Sequence, residues 1–154
     1  MKHKLILLTF LIAVCVMKQA NAQLALEQNK TYTGAQANEL LYKAIYQMDQ
    51  GSPEVIKKTI RNINNLLKDP RLKGKVQVEL VVFSAGTEAL RKDSEYEEAI
   101  RDLILKGVIV AQCLNTLEER KIDKSELYDF LAYVPTGNGE LLIRAGEGWT
   151  IIKP

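Results

Sequence analysis

The sequence predicts an α/β fold with a mostly parallel sheet. Two apolar runs of strand length, 75–83 and 108–113, end at small or polar residues, as strands covered on both faces do. Between such runs lie segments with apolar residues at helical spacing: Ile56, Ile60, Ile63 and Leu67, then Tyr96, Ile100 and Leu103. The two patterns alternate from about residue 40 to the end, the signature of strand–helix–strand units.

Taken in order, 40–48 carries Ile45 and two tyrosines and reads as the first strand. Asp49-Gln50-Gly51-Ser52-Pro53 breaks it, with Ser52 as N-cap and Pro53 at the first helical position. Asp69-Pro70 ends that helix. The second strand, 75–83, starts alternating and becomes continuously apolar, and the small-residue turn Ser84-Ala85-Gly86-Thr87 follows. Ser94 with Glu97 has capping-box spacing for a helix running to Lys106, and Gly107 is its stop. The third strand, 108–113, ends at Cys113. Asn115 or Thr116, with Glu118 or Glu119, then caps a short helix, and Asp123 with Glu126 caps another. Pro135-Thr136-Gly137-Asn138-Gly139 reads as a loop into the segment 140–145, and 149–152 as the last strand.

The first 22 residues read as a secretory signal. Lys2, His3 and Lys4 form a basic start, 5–17 is an apolar stretch short for a membrane span, and Ala20-Asn21-Ala22 fits a cleavage site. The expected mature chain begins at Gln23, with a flexible lead-in over 23–39 and one domain over 40–154, in the periplasm. The whole chain has 21 basic and 19 acidic residues; losing Lys2, Lys4 and Lys18 with the signal leaves 18 against 19. No electrostatic case for nucleic acid then remains, and none for a membrane surface once the signal is gone. His3 is the chain's only histidine, so the mature chain can build no Ser-His-Asp triad, Cys-His pair or His-ligated metal site. No cofactor or metal is implied.

Of the two cysteines, Cys15 leaves with the signal and Cys113 stands alone. A lone thiol is buried and inert, paired between chains, or chemically used. Free cysteine is among the most buried residue types. Cys113, however, ends its strand, and a helix start follows within three residues, a setting that favours thiolate. Carboxyl ends of strands are also where open α/β sheets keep their crevices. Cys113 is therefore the candidate catalytic residue, with Ser84, Gly86, Asn115 and Thr116 as candidates for the same crevice. Gly137-Asn138-Gly139 reads as a plain turn, Asp49 as a solvated loop residue, and Trp149 as core or subunit interface.

Three segments carry a family resemblance. Val78-Glu79-Leu80-Val81-Val82 with the turn at 84–87, Val108-Ile109-Val110-Ala111-Gln112-Cys113-Leu114-Asn115-Thr116, and the tail with Val134-Pro135-Thr136-Gly137 and 147–154 resemble DsrE/DsrF-like (YchN-like) proteins, in a small, single-domain, exported branch. The match covers roughly 40–154. It departs where Lys121 follows Arg120, since that family often has Arg-Gly there, and at Ser84-Ala85-Gly86, where a Gly-Pro-Gly-like turn is common. The resemblance implies a three-layer flavodoxin-like fold assembling as trimers or hexamers. It also implies that Cys113 takes sulfane sulfur as a persulfide and passes it to a partner protein, a role read from fold and one residue. The alternative is a non-catalytic oligomeric periplasmic binding module in which Cys113 is structural.

Overall fold

The structure is a computed structural model and describes residues 17–19 and 21–154. The chain divides into two units, Met1–Gln36 and Ala37–Pro154. Most of the expected signal segment lies outside the described residues. In the first unit, residues 21–31 are helical where a flexible lead-in was expected. Ala22, Leu24, Ala25, Leu26, Glu27 and Gln28 are all strong helix formers, and no β-branched residue interrupts them until Thr31. No helix among the described residues is long and apolar enough to cross a membrane.

The second unit is built on five strands: β1 (Tyr42–Met48), β2 (Val76–Val82), β3 (Ile109–Cys113), β4 (Ala132–Val134) and β5 (Thr150–Ile152). Their order is β4-β3-β2-β1-β5, and every pairing is parallel. Four α-helices cross between them: α1 (Pro53–Lys68), α2 (Glu97–Leu105), α3 (Leu114–Arg120) and α4 (Gly137–Gly146). The steps β1 to β2 to β3 to β4 all move one way along the sheet. The last step, from β4 back to β5, returns across it. Right-handed crossovers therefore place α1, α2 and α3 on one face and α4 on the other. The packing agrees. Ala44, Tyr46, Met48, Val78, Leu80, Val82 and Val110 meet Ile56, Ile63, Ile100, Leu103 and Leu117 in the larger core. Ile45, Val81, Leu141 and Trp149 form a smaller core under α4. The result is a three-layer flavodoxin-like α/β fold.

The local reasons are visible in the chain. The Ser52 hydroxyl accepts the Val55 N–H at 3.3 Å, and Pro53 stands first in α1, as its sequence predicts. Ile56 and Ile63, seven residues apart, are fully buried; each contributes about 1.5–3 kcal/mol by leaving water. The Ser94–Glu97 capping box does not form. Ser94 Oγ is 2.5 Å from Tyr128 Oη and donates to the Ala89 carbonyl at 3.2 Å, so α2 begins at Glu97 behind Tyr96. Gly107 ends α2 region with φ +88°, as a glycine stop should. The second capping box does form: Asp123 and Glu126 bond each other's backbone around a 3₁₀ turn, Lys124–Glu126.

One charged side chain lies inside the sheet. Glu79 of β2 points toward α4 with 1 % exposure, and Arg144 of α4 donates to its Oε2 at 2.8 Å. Burial pushes the Glu79 carboxyl above its usual range, and the guanidinium opposes that shift. Arg144 also meets Glu140 at 2.9 Å and Glu147 at 3.2 Å, and lies over the Trp149 ring at 4.5 Å.

Candidate functional site

The helices that leave β3 and β4 turn to opposite faces of the sheet. Adjacent strands with diverging helices open a crevice at their carboxyl ends, the switch point where α/β sheets bind ligands. Cys113 ends β3 in register with Val134, which ends β4, so its sulfur lies at that point. A pocket of about 250 Å³ opens there, lined by Ser84, Cys113, Thr116, Arg120, Gly137 and Asn138 among others.

Three of the sequence candidates share this pocket with Cys113: Ser84, Asn115 and Thr116. Gly86 does not. It is buried against β1, where an added Cβ would stand 2.2 Å from the Met48 carbonyl oxygen. Its turn needed a glycine for close backbone approach rather than for a ligand. Asp49 is engaged elsewhere, accepting from Lys153 at 2.9 Å and Gln47 at 3.2 Å. Trp149 is core, in the smaller cluster.

Cys113 is itself the N-cap of α3, in place of Asn115 or Thr116. The strand runs straight into the helix, and the Thr116 N–H donates to Cys113 Sγ at 3.4 Å. The thiol is 4 % exposed and is the free cysteine among the described residues. Its carbonyl accepts from Gln112 Nε2 at 2.9 Å. Thr116 also accepts the Ser84 N–H on its hydroxyl at 3.0 Å. Arg120, one turn further, donates to the Ser84 carbonyl at 2.9 Å and to Glu88 at 2.6 Å. The opposite wall is tied in where the Asn115 N–H donates to the Pro135 carbonyl at 3.1 Å. The Gly137-Asn138-Gly139 stretch, expected as a turn, is the first turn of α4, capped by the Thr136 hydroxyl on the Gly139 N–H at 3.1 Å. Gly137 is required by packing, because a Cβ there would meet the Phe83 ring at 2.5 Å.

Sequence reasoning missed Arg120, Glu119, Phe83 and Thr136 at this site. Arg120 carried a signal: it follows Thr116 by four residues, one helical turn, so both reach the same loop. The chemistry available is that of a floor thiol under a rim of hydroxyl, amide, guanidinium and carboxylate groups. A pocket of this size admits a small donor group or the tip of a larger one. Among the described residues no cluster of three or more His, Cys, Asp or Glu side chains is placed to hold a metal ion.

Two residues beside the site hold left-handed backbone, Ser84 at φ 52° and Lys121 at φ 54°, the only such non-glycine residues described. Lys121 follows α3 as a Schellman-type end, with Ile122 N–H on the Leu117 carbonyl at 2.9 Å. A side chain in this region costs about 1 kcal/mol that glycine does not. Lys121→Gly is therefore expected to raise thermal stability by about 1 kcal/mol, or about 4 °C in melting temperature. Calorimetry checks this; a lower melting temperature would show that the freer unfolded chain outweighs the relieved strain.

No protein-family model matches this chain, and no curated protein matches it. Among solved structures it is similar to a protein of unknown function, MTH1491, from Methanobacterium thermoautotrophicum. The two are 32 % identical over 73 % of this chain and 99 % of that one, with a TM-score of 0.69.

Proposed function

This chain belongs to the same family as the methanobacterial protein MTH1491, and for this member we propose a sulfur-carrier function in which Cys113 holds sulfane sulfur as a persulfide. The observation that carries the reading is the place of Cys113: a thiol at the switch point of the sheet, on the floor of a polar pocket, with a backbone N–H directed at its sulfur. The Cys113 thiol takes the outer sulfur of a donor persulfide R–S–SH. The donor's S–S bond breaks, R–SH leaves, and Cys113–S–SH remains; the reverse step delivers the sulfur to an acceptor thiol. No oxidant is needed, and no second cysteine. Export to the periplasm and assembly into trimers or hexamers belong to the same proposal, and the donor and acceptor are partner molecules.

The deep burial of Cys113 favours a second reading, a binding module whose cysteine is structural. Intact mass spectrometry after exposure to a low-molecular-weight persulfide separates the two. The carrier is expected to gain sulfur in steps of one atom that reductant removes, and Cys113→Ser to gain none. Equal uptake by Cys113→Ser, or no uptake by the unaltered protein, overturns the carrier reading and leaves the binding module. The same spectrum reports whether the chain begins at Gln23.

A further inference from the structure

Cys113 is 4 % exposed at the bottom of its pocket, so movement of a wall governs how fast a bulky reagent reaches its sulfur. Two of the walls are fixed. The loop after β2 is locked to β1 by backbone-to-backbone approach at Gly86 and Gly51, and Thr87, Ala89 and Leu90 in it are fully buried. Helix α3 is anchored by Leu117 in the larger core and by Thr116 and Arg120 on Ser84. Helix α4 differs. Three of its ten residues are glycine, a poor composition for a helix. It buries Leu141 and Gly137, while Leu142 and Ile143 are 75 % and 60 % exposed. Beyond it Gly148 has φ +80°, a conformation suited to a hinge. Low helix propensity and an exposed outer face mark a helix that opens more readily than its neighbours.

Leu141 in the smaller core, Gly137 against Phe83 and Lys43 on the Glu147 carbonyl hold α4 to the sheet, and its one tie to a buried charge is a single side chain. Arg144 joins Glu79 of the sheet to Glu140 and Glu147 of its own helix end, and stacks over Trp149. We propose that α4 is the moving wall of the pocket, opening to admit reagents to Cys113, and that Arg144 is the latch that holds it shut. The physical basis is the buried carboxylate. With Arg144 in place the closed helix covers a paired Glu79; without it, closing must bury either an unpaired charge or a carboxyl that has taken up a proton, and opening relieves that cost by hydration. This rests on the reading of Cys113 as the working thiol, but its test does not depend on what the thiol carries.

The test is the rate at which N-ethylmaleimide modifies Cys113 in the native full chain, read on the Cys113 peptide by mass spectrometry. Hydrogen exchange at the β2 amides, 78–82, reports global unfolding in the same samples. Arg144→Ala is expected to speed modification by about tenfold or more with β2 protection retained. Adding Glu79→Gln, which removes the charge to be buried, should return the rate to within about threefold of the unaltered protein. Gly146→Ala, where an added Cβ meets nothing within 4 Å, strengthens the helix and should slow modification about threefold. The proposal is overturned if Arg144→Ala modifies at the unaltered rate, if Glu79→Gln fails to restore the slow rate, or if β2 protection falls in step with the acceleration. Should Arg144→Ala not fold, an unchanged rate in Gly146→Ala overturns it alone.

Discussion

Gly86→Ala is expected to destabilise the domain by about 3 kcal/mol, the upper range for forcing atoms into a packed interior. The added Cβ would lie 2.2 Å from the Met48 carbonyl oxygen and 2.8 Å from its carbonyl carbon. Both are backbone atoms at the end of β1, so no flexible side chain can yield. The same carbonyl accepts the Phe83 N–H at 3.1 Å, and moving it weakens that bond too. Gly51 repeats the arrangement from the other side, with its Cβ position 2.4 Å from the Ala85 carbonyl. The carboxyl ends of β1 and β2 are thus interlocked main chain to main chain. Urea denaturation measures the loss, with Gly146→Ala as the open-space control. A loss under about 1 kcal/mol for Gly86→Ala would show that the two loops can slide apart at little cost.

Leu80→Ala comes next, with an expected loss of about 3–4 kcal/mol. Leu80 lies in the middle of the central strand, fully buried, between Tyr46 of β1 and Val110 of β3. Main chain and side chains surround it on all sides, so the sheet has little freedom to collapse into the vacated volume, and the cavity term adds to the lost transfer energy. Leu142→Ala on the exposed side of α4 removes the same atoms and should change stability by less than about 0.5 kcal/mol. Equal losses from both substitutions would mean that the outer side of α4 is buried in solution against another surface.

The elements that the sequence announces are those whose signal is local. Ser52-Pro53 caps α1 with its own side chain and ring, so the pattern and the structure coincide. The apolar runs that become β2 and β3 are buried on both faces, and burial on both faces is what makes a run continuous. The features that escape it depend on distant partners. Ser94 has capping-box spacing, but its hydroxyl is taken by Tyr128, 34 residues away. β4 is three residues long and is a strand only because β3 lies beside it. The glycines at 137 and 139 look like a turn, yet they form the first turn of α4 under the Thr136 cap, and 137 is glycine because Phe83, 54 residues away, leaves no room for a Cβ. At the site, Cys113 was legible from strand end and helix start. That the thiol would itself cap the helix was not, because sulfur is a weak acceptor and seldom chosen for that place.

The lengths of the outermost strands also matter. β4 and β5, the two margins of the sheet, have three residues each, against seven in β1 and β2. A margin that short presents few free main-chain donors and acceptors, so another chain finds little template for adding a strand. Strand addition onto β4 or β5 is thereby disfavoured. The free surface of the domain is then one of helices and loops, with the parallel sheet as its interior.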